Sequence, residues 1–330
     1  MKVRLVDRLV YVVARLAIGT AARVPQWLGY GCADLLGRLF FRIDRRRRGY
    51  AMHFLRNAFP ELDDAARARL GARATGNLFK VPIDMARLTR LLARGGDVLS
   101  VLDPGAVGKR IAGLKPPFLG LTAHLGNWEV AAAGVARAVG GAHGMARVSK
   151  NPLLQKWLLA NRQRGGLIIH PRRGGVRDLA SALARGGVGL QVVDQNQRLR
   201  GVFATFFGQM ASCERAGASL ALRRGYPILV GVALRRGRGF RFEMVSTEPF
   251  VLENTGDRAR DLQVGVERIN RAIEELVRMA PEQYLWIHDR YRTKSDKSES
   301  DDAGADGDSP RSGDGSDASD GESVGESGDD

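Results

Sequence analysis

Residues 118–141 read Phe-Leu-Gly-Leu-Thr-Ala-His-Leu-Gly-Asn-Trp-Glu-Val-Ala-Ala-Ala-Gly-Val-Ala-Arg-Ala-Val-Gly-Gly, which predicts a strand, a loop and a helix. Phe118–Thr122 is a short apolar run after two prolines, as is typical of a buried strand. Trp128–Val139 has helical character and stops at Gly140-Gly141, where glycine commonly ends a helix. His124–Asn127 is then the loop that joins the two elements.

The rest of the central region repeats this alternation of short apolar runs and longer helical stretches. We predict strands at Met145–Val148, Ile168-Ile169, Val188–Val193, Ile228–Leu234 and Phe240–Val245. We predict helices at Asn151–Arg164, Val176–Arg185, Ala211–Arg224 and Asp257–Met279. Strands that alternate with helices of this length indicate the α/β class, with a mixed, mostly parallel central sheet covered by helices.

The first 60 residues read as two apolar helical stretches broken near Pro25. In a helix that turns by about 100° per residue, Arg4, Arg8 and Arg15 form a narrow stripe, and leucines and valines cover the remaining surface. A helix of this kind suits the interface of a membrane, so we predict an N-terminal amphipathic, membrane-associated helix. The alternatives are an ordinary helix packed on the domain and a membrane span whose arginines reach the head groups.

Charge is divided unevenly along the chain. From Thr293 to Asp330 there are 13 acidic and 3 basic residues, a net charge of −10, whereas the rest of the chain carries +25. The acidic tail has almost no apolar residues to bury, so we predict that it is disordered. The predicted organisation is therefore N-terminal membrane-associated helices (1–60), an α/β domain (61–293) and the acidic tail (294–330).

The cationic body favours anionic partners: a lipid surface, phosphorylated substrates, an acidic carrier protein or nucleic acid. The run Arg45–Arg48 is either a solvated helix face or a contact with anionic head groups at the cytoplasmic leaflet. The sequence has no RNP, zinc-finger or helix-turn-helix pattern, so no specific nucleic-acid partner is expected. Cys32 and Cys213 lack the spacing of a disulfide framework or a zinc site, which suits a reducing compartment.

His124 and Glu129 are candidates for acid–base chemistry at the junction of strand, loop and helix. His124 follows the carboxyl end of a strand, where open α/β sheets bind ligands, and Glu129 falls in the first helical turn. If the loop folds back, the carboxylate accepts a hydrogen bond from one ring nitrogen, and the other nitrogen is free to take a proton from a hydroxyl. Gly126 permits a close turn, and backbone N–H groups at the helix start are expected to face an oxyanion. On spacing alone, a structural histidine or a helix cap is the alternative.

Several segments resemble, in the same order, the bacterial lipid A biosynthesis acyltransferases, the lauroyl and myristoyl transferases of the lysophospholipid acyltransferase-like superfamily. His124–Glu129 is similar to the His-x4-Asp/Glu motif of that superfamily. After Gly208 the chain departs from the family, because Gln209–Ser212 stands where an apolar residue, Pro and Ala are usual. Further similar segments are Arg56–Glu61, Ala146–Pro152, Val192–Gln195, Phe203–Gly208 and Pro281–Arg290.

The resemblance implies transfer of a fatty acyl chain from a thioester to a hydroxyl of a membrane glycolipid, expected to be a lipid A precursor. It implies no cofactor and no metal, a donor on acyl carrier protein or coenzyme A, and work at the cytoplasmic face of the inner membrane. The alternatives are acylation of another polyol lipid, such as a phosphatidylinositol mannoside, and a non-catalytic protein that binds anionic surfaces. The implied roles are His124 as general base, Glu129 as its partner, and substrate contacts from Asn127, Arg147, Arg162, Arg164, Asp194, Gln195, Phe207 and Gly208.

Overall fold

A computed structural model describes residues 3–146, 149, 151–171 and 174–294. The predictions for Arg147 and for the tail from residue 295 onward fall outside these residues. The strands are β1 (Leu102–Asp103), β2 (Phe118–Thr122), β3 (Ala142–Ala146), β4 (Leu167–Pro171), β5 (Val188–Val192), β6 (Val202–Phe206), β7 (Gln209–Cys213), β8 (Ile228–Arg235) and β9 (Phe242–Ser246). The helices are α1 (Leu5–Ala21), α2 (Gln26–Ile43), α3 (Arg45–Ala58), α4 (Asp64–Ala93), α5 (Gly105–Gly113), α6 (Trp128–Val139), α7 (Pro152–Arg164), α8 (Gly175–Ala184), α9 (Ala216–Arg224) and α10 (Arg258–Met279).

Seven strands form one sheet in the order β1-β9-β8-β2-β5-β3-β4. From β8 to β4 all neighbours run parallel, whereas β9 is antiparallel to β8 and β1 is parallel to β9. The predicted α/β class with a mixed, mostly parallel sheet is confirmed. The register pairs Thr122 of β2 with Val192 of β5, so the residues that follow these two strands emerge side by side at one edge.

Helices cover both faces of the sheet. Successive residues of a strand point to opposite faces, so each buried strand contributes side chains to both layers. On one face, Leu119 and Leu121 of β2 belong to the same buried core as Phe54 of α3. On the other face, Phe118 belongs to a second core with Val130 of α6. The sheet is therefore held between two apolar layers, which fixes the ends of β2 and β5 where the site forms.

The first helix contacts the protein through a few polar residues, whereas Arg4, Arg8 and Arg15 are exposed together with much of its apolar surface. Arg4 pairs with Asp7 at 3.2 Å, and the Asp7 carbonyl accepts a hydrogen bond from Asn151 at 2.8 Å. Arg15 lies over the ring of Trp157, 5.0 Å from its centroid. Among the described residues, no helix is long and apolar enough to cross a membrane. Exposed apolar side chains of α1 and α2 include Leu5, Leu9, Val13, Leu16, Trp27, Leu35, Leu36 and Ile43.

The helix predicted for Ala211–Arg224 is wrong in its first part. Gln209–Cys213 is strand β7, which pairs antiparallel with β6. The two strands join through Phe207-Gly208, where both residues have positive φ angles of 47° and 73°, as a two-residue hairpin turn requires. Small residues such as Ala, Ser and Cys give little periodicity, so pairing with β6 decides the local structure here.

Candidate active site

The ring of His124 is held by Asp194, the second residue after β5. Ring nitrogen Nδ1 lies 2.7 Å from Asp194 Oδ1, and the backbone N–H of His124 donates to Asp194 Oδ2 at 2.9 Å. His124 is likewise the second residue after β2, and Thr122 pairs with Val192 in the parallel register. The sheet itself therefore brings these two side chains together at the carboxyl ends of adjacent strands, where α/β folds place their ligand sites.

Asp194 is ionised and almost inaccessible to solvent. Its side chain is 2% exposed, and that of His124 is 19% exposed. Burial raises the pKa of Asp194, but the charge of His124 and the two hydrogen bonds from it outweigh burial, and the pKa is lowered overall. A fixed negative charge at Nδ1 is the arrangement that stabilises an imidazolium as it forms.

The second ring nitrogen of His124 faces the open side of the site. Gln195 Nε2 lies 3.3 Å from His124 Nε2, and an amide nitrogen is a hydrogen-bond donor, so His124 Nε2 is the acceptor there. With Nδ1–H directed at Asp194, Nε2 carries the lone pair, and a hydroxyl that takes the place of the Gln195 amide would donate to it. The ring of Trp128 lies edge-on to the imidazole with 4.7 Å between centroids, which restricts its rotation.

The chain near residue 284 clamps the loop that carries His124. The backbone N–H of Leu285 donates to the His124 carbonyl at 3.1 Å, and that of Gly126 donates to the Gln283 carbonyl at 3.1 Å. Gly126 has φ +61°, and a Cβ at this position would lie 2.1 Å from the Ala233 carbonyl oxygen. Only glycine fits this close approach, which agrees with the predicted turn.

Asn127 caps helix α6 and is anchored from behind. Its Oδ1 accepts from the backbone N–H groups of Glu129 (3.1 Å) and Val130 (3.0 Å), and its Nδ2 donates to Asp84 at 2.9 Å. The residue as a whole is 1% exposed. Both polar groups of its amide therefore hold the loop, and the substrate contact of Asn127 stays a prediction.

Glu129 does not contact His124, so the predicted pairing is corrected. Its two oxygens lie 3.0 Å from Nε and 2.6 Å from Nη2 of Arg162 on α7, a two-point ion pair. The Glu129 side chain is 9% exposed and that of Arg162 is 21% exposed. Burial lowers the pKa of Arg162, but hydrogen bonding and the charge of Glu129 raise it overall. The first turn of α6 directs Glu129 toward α7, whereas the end of β5 supplies the carboxylate at the imidazole.

Four backbone N–H groups around the start of α6, where oxyanion contacts are predicted, are paired within the protein. The N–H groups of Glu129 and Val130 donate to the Asn127 side chain. Those of Gly126 and Asn127 donate to the carbonyls of Gln283 and Ala233. These four donors are satisfied within the protein, so they are not directed at a reacting group.

The remaining predicted contacts lie at different depths. Phe207 is buried among aromatic rings, with its centroid 5.8 Å from that of Phe54, and its N–H donates to Glu274 at 2.7 Å. Gly208 is exposed at the tip of the β6–β7 hairpin, and Arg164 is exposed at the end of α7. The structure therefore brings together His124, Asp194 and Gln195, whereas Phe207 packs in the aromatic core with Phe54.

Sequence reasoning missed a buried polar network behind the loop. Asp84 of α4 is fully buried and accepts from Tyr30 of α2 at 2.6 Å, from Asn127, and from Arg235 at the end of β8. The lone carboxylate in the apolar segment 81–85 is the signal in the sequence that could have indicated this network, because such a residue is buried only with partners. Asp84 thus connects the N-terminal helices with the loop of His124.

Comparisons with known proteins point to one family. Residues 4–293 match the family profile described as "Bacterial lipid A biosynthesis acyltransferase". The chain is 25% identical over 284 residues to the "Lipid A biosynthesis lauroyltransferase" of Escherichia coli (strain K12), which covers 80% of this chain and 84% of that protein. It is 28% identical over 149 residues to the "Lipid A biosynthesis acyltransferase" of Haemophilus influenzae, covering 44% of this chain and 45% of that protein.

Proposed function

This chain belongs to the bacterial lipid A biosynthesis acyltransferases, and we propose that it moves a fatty acyl chain from a thioester to a hydroxyl of a lipid A precursor, with His124 as general base. The observation that carries the proposal is the 2.7 Å contact between His124 Nδ1 and buried Asp194. It leaves Nε2 as the acceptor on the open side of the ring. Because the family consists of enzymes, the alternative of a non-catalytic binder is set aside.

In the proposed reaction, His124 Nε2 takes the proton of the acceptor hydroxyl as its oxygen attacks the thioester carbonyl. A C–O bond forms, the tetrahedral intermediate collapses, and the C–S bond breaks. The imidazolium then returns the proton to the departing sulfur, so the products are an ester and a thiol. Asp194 holds the ring in the required tautomer and stabilises its transient positive charge. No covalent acyl-enzyme is needed.

We propose that the Glu129–Arg162 pair supports the site by holding α7 against α6 and by orienting the guanidinium of Arg162. Arg162 uses Nε and Nη2 to hold both oxygens of Glu129, and this two-point contact fixes the plane of the guanidinium. Glu129 also stands in the first turn of the helix that begins at Asn127. The pair thus joins α7 to the helix behind His124, and it presents the guanidinium of Arg162 to a negatively charged group of a substrate.

Membrane contact is proposed to run through α1 and α2. Leu5, Leu16 and Trp27 are 82%, 65% and 75% exposed, whereas the polar residues Arg4 and Asp7 pair with each other. An outward apolar side of this size is typical of a surface that enters the interfacial layer of a bilayer. This position, at the cytoplasmic face of the inner membrane, suits an enzyme whose acceptor is a membrane lipid and whose donor is delivered on acyl carrier protein or coenzyme A.

The test is a transfer assay with purified protein and a labelled acyl thioester, supplied separately on acyl carrier protein and on coenzyme A. A lipid A precursor and a phosphatidylinositol mannoside are offered as acceptors in detergent micelles. We expect a new ester on the lipid A precursor, detected by mass spectrometry, and none with the His124→Ala variant. An ester formed on the mannoside alone would show that the acceptor is that lipid and not the lipid A precursor. Equal turnover by the His124→Ala variant would overturn the general-base mechanism.

A further inference from the structure

A cleft of about 470 Å³ opens between the end of α1, the C-terminal half of α4 and Phe240, just before β9. Four arginines line it: Arg23, Arg87, Arg90 and Arg94. We call it the arginine cleft. It lies apart from His124, and none of the four residues takes part in the proposed reaction.

The guanidinium groups of the arginine cleft are incompletely paired. Arg90 Nη1 and Arg87 Nε are buried without a hydrogen-bond partner among the described residues. Arg87 Nη2 donates to the Val24 carbonyl at 2.9 Å, and Arg23 Nη1 donates to the Gly19 carbonyl at 2.9 Å. Buried donors without partners are rare in proteins because each costs the desolvation of a polar group. They indicate that an acceptor from outside the chain completes the cleft.

The arginines of the cleft also repel one another. Burial lowers the pKa of the Arg90 guanidinium, and the positive charges of Arg23, Arg94 and Arg87 lower it further. Within the described part of the chain, none of the groups that shift the pKa of Arg90 is a carboxylate. Four like charges around one space are unfavourable until a ligand of opposite charge enters.

We propose that the arginine cleft binds a phosphate group, most favourably a phosphate monoester. A phosphate monoester carries about −1.5 to −2 charges at neutral pH and three acceptor oxygens, which suits several converging arginines better than a carboxylate does. The planar fork of each guanidinium matches two phosphate oxygens at once.

The cleft opens beside the surface that we propose for membrane contact. Arg23 ends the turn after α1, and Trp27, only four residues later, is 75% exposed. On α4, Arg87 lies about one helical turn after Asp84. Arg90 lies about 9 Å along the helix axis from Asp84, at roughly 1.5 Å per residue. Asp84 holds Asn127 of the catalytic loop. A phosphate bound here sits between the bilayer surface and the catalytic loop, so a lipid head group and a soluble phosphate compound are both candidate sources.

The test compares the native chain with Arg90→Gln and with the double variant Arg90→Gln/Arg94→Gln. Arg224→Gln is the matched control, since it removes an equal charge from an exposed position at the end of α9. One arm titrates inorganic phosphate into each protein by calorimetry at fixed ionic strength. The other measures flotation with phosphatidylcholine vesicles that contain either phosphatidic acid, a monoester, or phosphatidylglycerol, a diester, at matched surface charge.

We expect the native chain and Arg224→Gln to bind phosphate, and the Arg90 variants to bind it about tenfold more weakly or worse, as loss of one charge-assisted hydrogen bond implies. Preference for phosphatidic acid without calorimetric binding would assign the site to a lipid, and calorimetric binding would assign it to free phosphate as well. The Arg90 variants should unfold at the same temperature as the native chain or higher without ligand, because a repulsion is removed. Native protein that binds in neither arm, or Arg90 variants that bind as well as the native chain, would overturn the proposal.

Discussion

Replacing Asp194 by Asn tests how the sheet edge activates His124. The substitution keeps the size of the side chain but removes a buried charge whose Oδ1 lies 2.7 Å from the imidazole nitrogen. With about 4 Å between charge centres and an effective dielectric constant of about 20, the lost attraction to the imidazolium is about 4 kcal/mol. That corresponds to a fall in kcat of about 10³.

The amide adds a second effect of the same sign. If its NH₂ group faces Nδ1, the imidazole takes the opposite tautomer, with the proton on Nε2, and no longer accepts a proton from the hydroxyl. We therefore expect kcat to fall by about 10³ to 10⁴, with KM for the acyl thioester changed much less. Initial rates of ester formation measure this, with circular dichroism and thermal unfolding to verify that the variant is folded.

A double variant separates support of His124 from a general effect on the fold. In the His124→Ala background, Asp194→Asn should cost little further activity, because Asp194 acts through the imidazole. Retention of more than about a tenth of native kcat by folded Asp194→Asn would refute the reasoning, given the magnitude expected for a buried charge pair. An equal loss in both backgrounds would refute it too.

Three further predictions concern the support of the site. Gly126→Ala should abolish activity and lower the free energy of unfolding by about 1–3 kcal/mol, since φ is +61° and the new Cβ meets the Ala233 carbonyl; denaturant unfolding measures the loss, and a native rate would contradict it. Asp84→Ala should destabilise the fold by about 3–5 kcal/mol because Arg235 is left buried without its carboxylate, and a change below about 1 kcal/mol in urea unfolding would count against this. Because its pKa is lowered in the folded protein, ionised Asp194 stabilises the fold at neutral pH. This contribution disappears as the pH falls below the ordinary aspartate pKa of about 3.9 and on through the folded-state pKa. Asp194→Asn should therefore flatten the acid side of the plot of unfolding free energy against pH, and an unchanged plot would exclude that contribution.

The sequence predicts the frame of the site well because local signals define it. The apolar run at Phe118–Thr122, the glycines after Val139 and the buried segment at Val188–Val193 mark elements that the structure contains almost unchanged. These signals act within a few residues, so they need no knowledge of the sheet order. His124 is correctly expected to follow a strand at its carboxyl end.

The partner of His124 could not be found in the same way. Glu129 is five residues away in sequence, whereas Asp194 is 70 residues away and is adjacent only because β2 pairs with β5. Proximity in the sequence favours Glu129 as the partner, but the register of β2 and β5 places Asp194 there instead. The arginine cleft shows the same limit, because Arg23 joins Arg87, Arg90 and Arg94 only through the packing of α1 and α2 on α4.

The central claim is that His124 takes the proton of the acceptor hydroxyl. The most direct measurement is the rate of ester formation by His124→Ala beside Gln195→Ala, which removes a neighbour 3.3 Å from the same ring but leaves the base intact. We predict that the His124 variant falls by at least about 10³ while Gln195→Ala loses far less, consistent with the contribution of a general base. Folded His124→Ala that forms the ester at a rate near that of the native chain would contradict the claim.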